Sequence, residues 1–378
     1  MRVACMRVTP QALQICARLR DAVAAKEGAD VAMWVLNPVA AVRECCEEMV
    51  ELADGGGPGK LAKVAHVLID NDAPMLVLEG LTRYMDDAPV GEHACHALRV
   101  LTRDNGAAAK IVDAGGPALV LDCLQHHGSE EGVAEQACSA LVNLGGGWSG
   151  ANSADVAKLL LSSEHGVHTV LRPIAVHSAS AGVQDAGFSA LRQLEKRSRA
   201  LREEIVKAGV IQLAVAALTT HGHESSVAET VCALMMGFAA ESVREKAKSY
   251  VAALVKEGAL RAIVTALRAS IEAAAAPGAA AASARPSRSR IHGGTQVYFI
   301  RAAWALVVGP KPSEASEARA QLVDEGGIEV LVQAIVSNPV RATRSVRRQR
   351  RSLTFCFVWL CRSRSRSATT PAACCGSC

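Results

Sequence analysis

A chain of 378 residues, 50% hydrophobic and only 3% aromatic, holds material for two or three ordinary domains or for one elongated array whose core is Ala, Leu, Val and Ile. Its formal charge of +4 is uneven: no acidic residue follows Glu329 while nine arginines do, so the rest carries about −5 (4 minus 9), which is not the charge pattern of a nucleic-acid-binding fold. Thirteen cysteines in a chain this long do not read as a disulfide scaffold, and no apolar run reaches the roughly 18 residues that a membrane span needs.

Residues 1–29 open with MRVACMRVTPQALQICARLR, where charges interrupt every apolar run. No secretory core is present, so the expectation is an N-terminal helical lead-in to a cytoplasmic, reduced and unexported protein. DGGGPGK, residues 54–60, lacks the first glycine and the final Ser or Thr of a phosphate loop, because Asp54 and Leu61 stand there; it reads as a flexible connection.

From residue 30 to 271 one pattern recurs. DNDAPMLVLEGL is followed by ACHALRVL (94–101), and IVDAGGPALVLDCL (111–124) by ACSALVNL (137–144). EHGVHTVLRPI leads to FSALRQL (188–194), IVKAGVIQLAVAAL (205–218) to VCALMMGF (231–238), and KEGALRAIVTAL reaches AAWALVVG (302–309) only after a long insertion. A final copy, DEGGIEVLVQAI, lies at the end.

Two landmarks set the period. Gly115, Gly166, Gly209, Gly258 and Gly326 precede the apolar segments, with Asp72 in the glycine place of the first copy; Leu98, Leu141, Leu191, Leu234 and Leu306 mark the Ala-Leu segments. Successive landmarks lie 43 to 51 residues apart, except across the Ala/Ser/Pro/Arg-rich insertion at 272–294. A period near 40 to 47 residues built from two or three helices belongs to stacked helical arrays. The fold class is therefore all-α, with glycine supplying the sharp corner before each apolar helix and small residues letting helices cross closely. The last copy occupies residues 295–340.

GGGWSGA, residues 145–151, misses the nucleophile elbow because Ala151 stands where the second glycine belongs, and reads as a loop. His93, Cys95 and His96, the pair His126 and His127, and Cys374, Cys375 and Cys378 lack partners at a zinc-site spacing. No metal, cofactor, small-molecule substrate or catalytic residue is expected, and the protein is read as a non-enzyme.

The order of corner, second helix, loop and third helix in IVDAGGPALVLDCLQHHGSEEGVAEQACSALVNLG resembles the armadillo-repeat family over roughly residues 30 to 340. That resemblance implies a right-handed superhelix of about six repeats whose third helices line a concave groove for an extended peptide or protein partner. Importin-α-like members clamp peptides with a Trp and an Asn four residues apart. Here the Trp place falls on His96, Ser139, Ser189, Cys232 and Trp304, and the Asn place on Val100, Asn143, Gln193, Met236 and Val308, so no repeat carries both. The implied groove residues are His96, Arg99, Gln136, Ser139, Asn143, Ser189, Gln193, Arg301 and Trp304. For each one, an ordinary solvated helix position is the competing reading.

Residues 341–378 are rich in Arg, Ser and Cys and read as a disordered tail. SVRRQRR, with Arg347, Arg348, Arg350 and Arg351, has the composition of a nuclear-localisation cluster, and RSRSRS that of an RNA-contacting segment. A nucleic-acid-associated or nuclear-transport adaptor using this tail is the alternative function. LTFCFVWL between them is apolar and β-prone. A competing reading, that the tail is translated non-coding sequence, is decided by sequencing the transcript across codon 340.

Overall fold

The computed structural model describes residues 2–25, 37–54, 58–146, 152–162, 166–196, 198–244, 250–275, 294–307 and 312–337, and among these the regular structure is helical throughout. The helices are α1 (Arg2–Ala24), α2 (Pro38–Asp54), α3 (Pro58–Asp70), α4 (Ala73–Arg83), α5 (Ala88–Leu101), α6 (Asn105–Asp113), α7 (Gly116–His127), α8 (Glu131–Gly146), α9 (Asn152–Leu161) and α10 (His168–Val176). They continue as α11 (Ala181–Glu195), α12 (Arg199–Lys207), α13 (Val210–His221), α14 (Ser225–Arg244), α15 (Val251–Lys256), α16 (Ala259–Ala275), α17 (Thr295–Val307), α18 (Pro312–Asp324) and α19 (Gly327–Ser337). The stretch read as a flexible connection at 54–60 is shorter than that: Asp54 still closes α2, and Pro58 opens α3, as proline can where no N–H partner is needed.

The corner positions read from the sequence all turn left-handed, as does Gly294 just before α17. Gly115, Gly166, Gly209, Gly258 and Gly326 have φ of 80°, 65°, 93°, 82° and 65°, and Asp72, in the first copy, is the described non-glycine residue with positive φ, at 61°. Each corner separates a first helix from a second. The third helix that follows starts on a capped turn where the cap is polar: the Asp87 carboxylate accepts from the Val90 N–H at 2.9 Å, and Ser180 from Val183. First helices use the same device at Asp104, which accepts from Ala107, and at Ser198, which accepts from Leu201.

Packing follows this order. α2, α5, α8, α11, α14 and α17 lie side by side in sequence, each against the next, while first and second helices pack on the row and on their own neighbours. The landmark leucines Leu98, Leu141, Leu191, Leu234 and Leu306 are all fully buried in one continuous core that also holds Ala94, Ala137, Ala190 and Ala303. Small residues at these crossings let the helix axes come close.

Polar clasps tie neighbouring units together. His127 Nε2 donates to the Met85 carbonyl at 2.7 Å, His177 Nε2 to Gly128 at 3.0 Å and His221 Nε2 to Ser178 at 2.8 Å. Each histidine ends, or directly follows, a second helix and reaches back to the preceding corner between second and third helix. A carbonyl only accepts, so Nε2 carries the proton in all three. A buried ion pair, Glu195 with Arg202 at 2.7 Å, fastens α11 to α12, and Gly237 of α14 gives the carboxylate room: a Cβ there would lie 2.9 Å from Glu195 Oε1.

Seven described cysteines, Cys16, Cys45, Cys46, Cys95, Cys123, Cys138 and Cys232, are buried free thiols. Burial pushes the Cys138 thiol up to about 12 and the Cys45 thiol up to about 11, and raises Cys46 and Cys232 as well. The Cys95 thiol is raised first by its hydrogen bond with Cys123 and then by desolvation.

Two outcomes follow from this packing. A Cβ on Gly258 meets nothing within 4 Å, so Gly258→Ala isolates the cost of the left-handed backbone and should lower unfolding free energy by about 1–2 kcal/mol, measured by urea titration. The thiols stay protonated in the fold to a higher pH than in the unfolded chain, where they ionise near 9.0, so their contribution to stability is complete below pH 9 and drains as pH rises toward 12. Unfolding titrations should show a flat optimum that falls on the alkaline side, and thiol reagents at pH 8 should modify these cysteines only in denaturant.

Candidate protein-binding face

The row of third helices is where the sequence places a groove, and burial gives its register. The positions just after the buried Cys95, Cys138, Phe188 and Cys232 are His96, Ser139, Ser189 and Ala233, all half-buried, and Trp304 follows the buried Ala303 in the same way. The Ala-Leu landmark slips by one residue in α14: Cys232, assigned by sequence to the Trp place, is fully buried, and Ala233 presents the surface instead. VCALMM lacks one residue between its cysteine and its leucine relative to ACSAL, and the buried face follows the cysteine.

The nine groove residues divide by what they already hold. His96 and Arg99 contact one another along α5 through Nε2 and Nη2, so they act as a joined pair. Asn143 on α8 donates its amide to the Arg99 carbonyl at 2.8 Å and also to Thr102 Oγ1 at 3.3 Å. Its N–H groups thus close the end of the preceding third helix, joining the Thr102 hydroxyl, which donates to the same carbonyl at 3.1 Å. Ser189 Oγ lies 3.5 Å from Thr230 Oγ1 on the next helix. Gln136, Ser139, Gln193 and Trp304 are half-buried, and Arg301 is exposed. Gln136 Oε1 is enclosed with no hydrogen-bond partner among the described residues. Arg347, Arg348, Arg350 and Arg351 lie outside the described residues.

Sequence reasoning missed a row of acids. Three residues before the same buried markers stand Glu92, Glu135, Asp185 and Glu229, each half-buried and each touching the next third helix. The Glu92 carboxylate lies against Gly132 and that of Glu135 against Gly182, so close that a Cβ on either glycine would collide with it. Asp185 accepts from Thr230 Oγ1 at 2.7 Å, and Glu229 accepts from Thr295 Oγ1 at 3.1 Å. Gly132, Gly182 and Thr295 are first-turn residues of α8, α11 and α17, where the helix dipole favours a carboxylate. The signal was in the sequence: an acid three residues before each marker, visible once the register is taken from the cysteine.

His127 is committed to Met85, His126 Nδ1 to the Asp122 carbonyl at 2.8 Å, and no group of three His, Cys, Asp or Glu side chains converges among the described residues. No described helix is long and apolar enough to cross a membrane.

The Asn143 clasp predicts a graded response. Asn143→Ala should cost about 1 kcal/mol, whereas Asn143→Asp, which sets a carboxylate against the Arg99 carbonyl, should cost about 1–3 kcal/mol, both read by chemical denaturation.

No protein-family profile and no curated protein matches this chain. Among solved structures the fold is similar to two engineered proteins, both targets of the Northeast Structural Genomics Consortium. The first superposes with a TM-score of 0.53 at 18% identity, covering 79% of this chain and 99% of its own, and the second with 0.51 at 19%, covering 79% and 97%. At this identity the likeness is one of all-helical fold.

Proposed function

We propose that the chain is an armadillo-like right-handed superhelix of about six units that binds a protein partner or an extended peptide on the face of its third helices, without catalysis. The observation that carries this reading is the unbroken row α2, α5, α8, α11, α14 and α17, in which α5, α8, α11, α14 and α17 each offer a half-buried position in the same register. Rigid helices that present side chains at regular intervals lose little conformational freedom on binding, which favours multi-point recognition. Trp304 is the aromatic anchor of that face, with a large flat surface of the kind that dominates binding energy. A chain of this architecture works in the cytoplasm or nucleus as a scaffold or adaptor.

The test is affinity capture with the purified full chain, wild type beside Ser139→Arg/Ser189→Arg, which fills the face without touching the core. Partners retained by the wild type, reduced at least tenfold by the double substitution and indifferent to RNase support the reading. Partners equally retained by both but removed by RNase place function in the arginine tail instead. Circular dichroism of the double variant should match the wild type.

A further inference from the structure

The joint between α5 and α7 brings two sulfurs together in the core. Cys95 on the third helix α5 and Cys123 on the second helix of the next unit are both fully buried, and a hydrogen bond joins their thiols. The Cys123 sulfur sits in a gap that α5 leaves for it: a Cβ on Gly91, one turn before Cys95, would lie 2.8 Å from that sulfur. The same register recurs one unit earlier. Gly80 of α4 stands eight residues after its corner, as Cys123 does (80 minus 72, 123 minus 115), and a Cβ on it would lie 2.9 Å from Val42 of α2. Val42 precedes Cys46 by four residues, as Gly91 precedes Cys95 (46 minus 42, 95 minus 91). The two corresponding places therefore hold Cys46 and Gly80 at the earlier joint, Cys95 and Cys123 here, and Cys138 and Ile174 at the later one. Of these three joints, the middle one carries sulfur on both sides.

We propose that Cys95 and Cys123 are a redox-responsive pair, which hydrogen peroxide joins into a disulfide that staples α7 to the third helix of the preceding unit. The Cys123 sulfur, its proton passed to water, attacks one peroxide oxygen; the O–O bond breaks, the departing hydroxide takes up a proton as water, and a sulfenic acid remains on Cys123. The Cys95 sulfur then attacks the sulfenic sulfur, and its thiol proton leaves with the hydroxyl as a second water. Two thiols lose two electrons in all, and one peroxide is reduced to two waters. Cys95 is the second to react because it holds its proton, first through the hydrogen bond with Cys123 and then through desolvation. Burial sets the selectivity. Bulky reagents are shut out, whereas a peroxide, hardly larger than two water molecules, needs only a brief local opening, and the nearest nucleophile to the oxidised sulfur is then its partner. The staple closes a loop of 28 residues (123 minus 95) around α6 and the Gly115 corner, so it restrains the unfolded chain and this one joint. The Asn143 clasp holds the same two units, from α8 back to α5. This pair stands whatever the third-helix face binds.

The test exposes the full reduced chain to hydrogen peroxide in native buffer, blocks the remaining thiols with iodoacetamide in denaturant, and maps linked peptides by mass spectrometry without reduction. Trypsin is combined with a glutamate-specific protease, because Glu130, Glu131 and Glu135 separate Cys123 from Cys138. The expected product is a Cys95–Cys123 link within the monomer, at least tenfold above any link from Cys95 to Cys46 or Cys138 and reversed by dithiothreitol. Oxidation should also raise the melting temperature by about 5 °C. The same peroxide added in denaturant should lose the preference for this pair. Cys123→Ala gives α7 the residue that Ala217 and Ala266 supply eight residues after their own corners (217 minus 209, 266 minus 258), and should melt at one temperature before and after peroxide. Recovery of Cys95 and Cys123 as alkylated thiols overturns the proposal. So does their oxidation to sulfinic acid without a link, a dominant link from Cys95 to Cys46 or Cys138, or a linked chain that melts no higher than the reduced one.

Discussion

The architecture depends on one backbone constraint: the chain must turn left-handed between the first and second helices of a unit. Only glycine takes φ near 60–90° without a penalty, which is why Gly115, Gly166, Gly209, Gly258 and Gly326 stand at corners and why Asp, tolerated there better than most residues, stands in the first copy. The sharp corner lets the second helix fold back on the first and sends the third across both. An extended connection at the same place would leave the apolar face of each unit without a neighbour. Everything the third helices present follows from that turn, since it fixes which of their faces meets the next unit and which meets solvent.

What holds one unit to the next divides between apolar and polar contacts. Small and medium aliphatic side chains supply the continuous core, with Phe188, Phe238 and Phe299 as its largest fully buried members. Apolar contact is indifferent to small rotations, and direction comes from hydrogen bonds. Two recur, histidine to the preceding corner carbonyl and carboxylate to the N-terminal half of the next third helix, and the Asn143 amide to the end of α5 adds a single third clasp. The Glu195–Arg202 pair is buried between α11 and α12, where losing Arg202 would strand the Glu195 charge in the core. Stability in such a stack is a sum over neighbours, so damage at one corner stays local.

Much of the fold was legible in the sequence because its two landmarks report independent physical needs. Glycine answers to backbone sterics and Ala-Leu to close helix crossing, and both returned the same spacing. The all-helical class and the burial of Leu141 and Leu191 follow from these patterns. Register within α14 did not, because Ala-Leu is a contact pattern that survives a one-residue shift, whereas the buried cysteine marks the inward direction itself. The acid row was invisible for a related reason. A lone Glu on an amphipathic helix looks solvated until the next third helix, 40 to 66 residues away, is set beside it. The intended clamp position Asn143 turned inward to a carbonyl that only the fold brings within reach.

The same division explains the chemistry of the candidate face. Positions between third helices are claimed by the array: carboxylates meet helix starts, and Asn143 meets a helix end. The position directly above each buried marker is left to vary, and there the chain places His96, Ser139, Ser189, Ala233 and Trp304 without a shared chemistry. A repeated ligand contact would need a repeated side chain, and along this face the repeated side chain is the acid. Each carboxylate lies against the next third helix, so its position is fixed by the stacking itself. The spacing of the four carboxylates along the face is therefore the helix-to-helix distance itself.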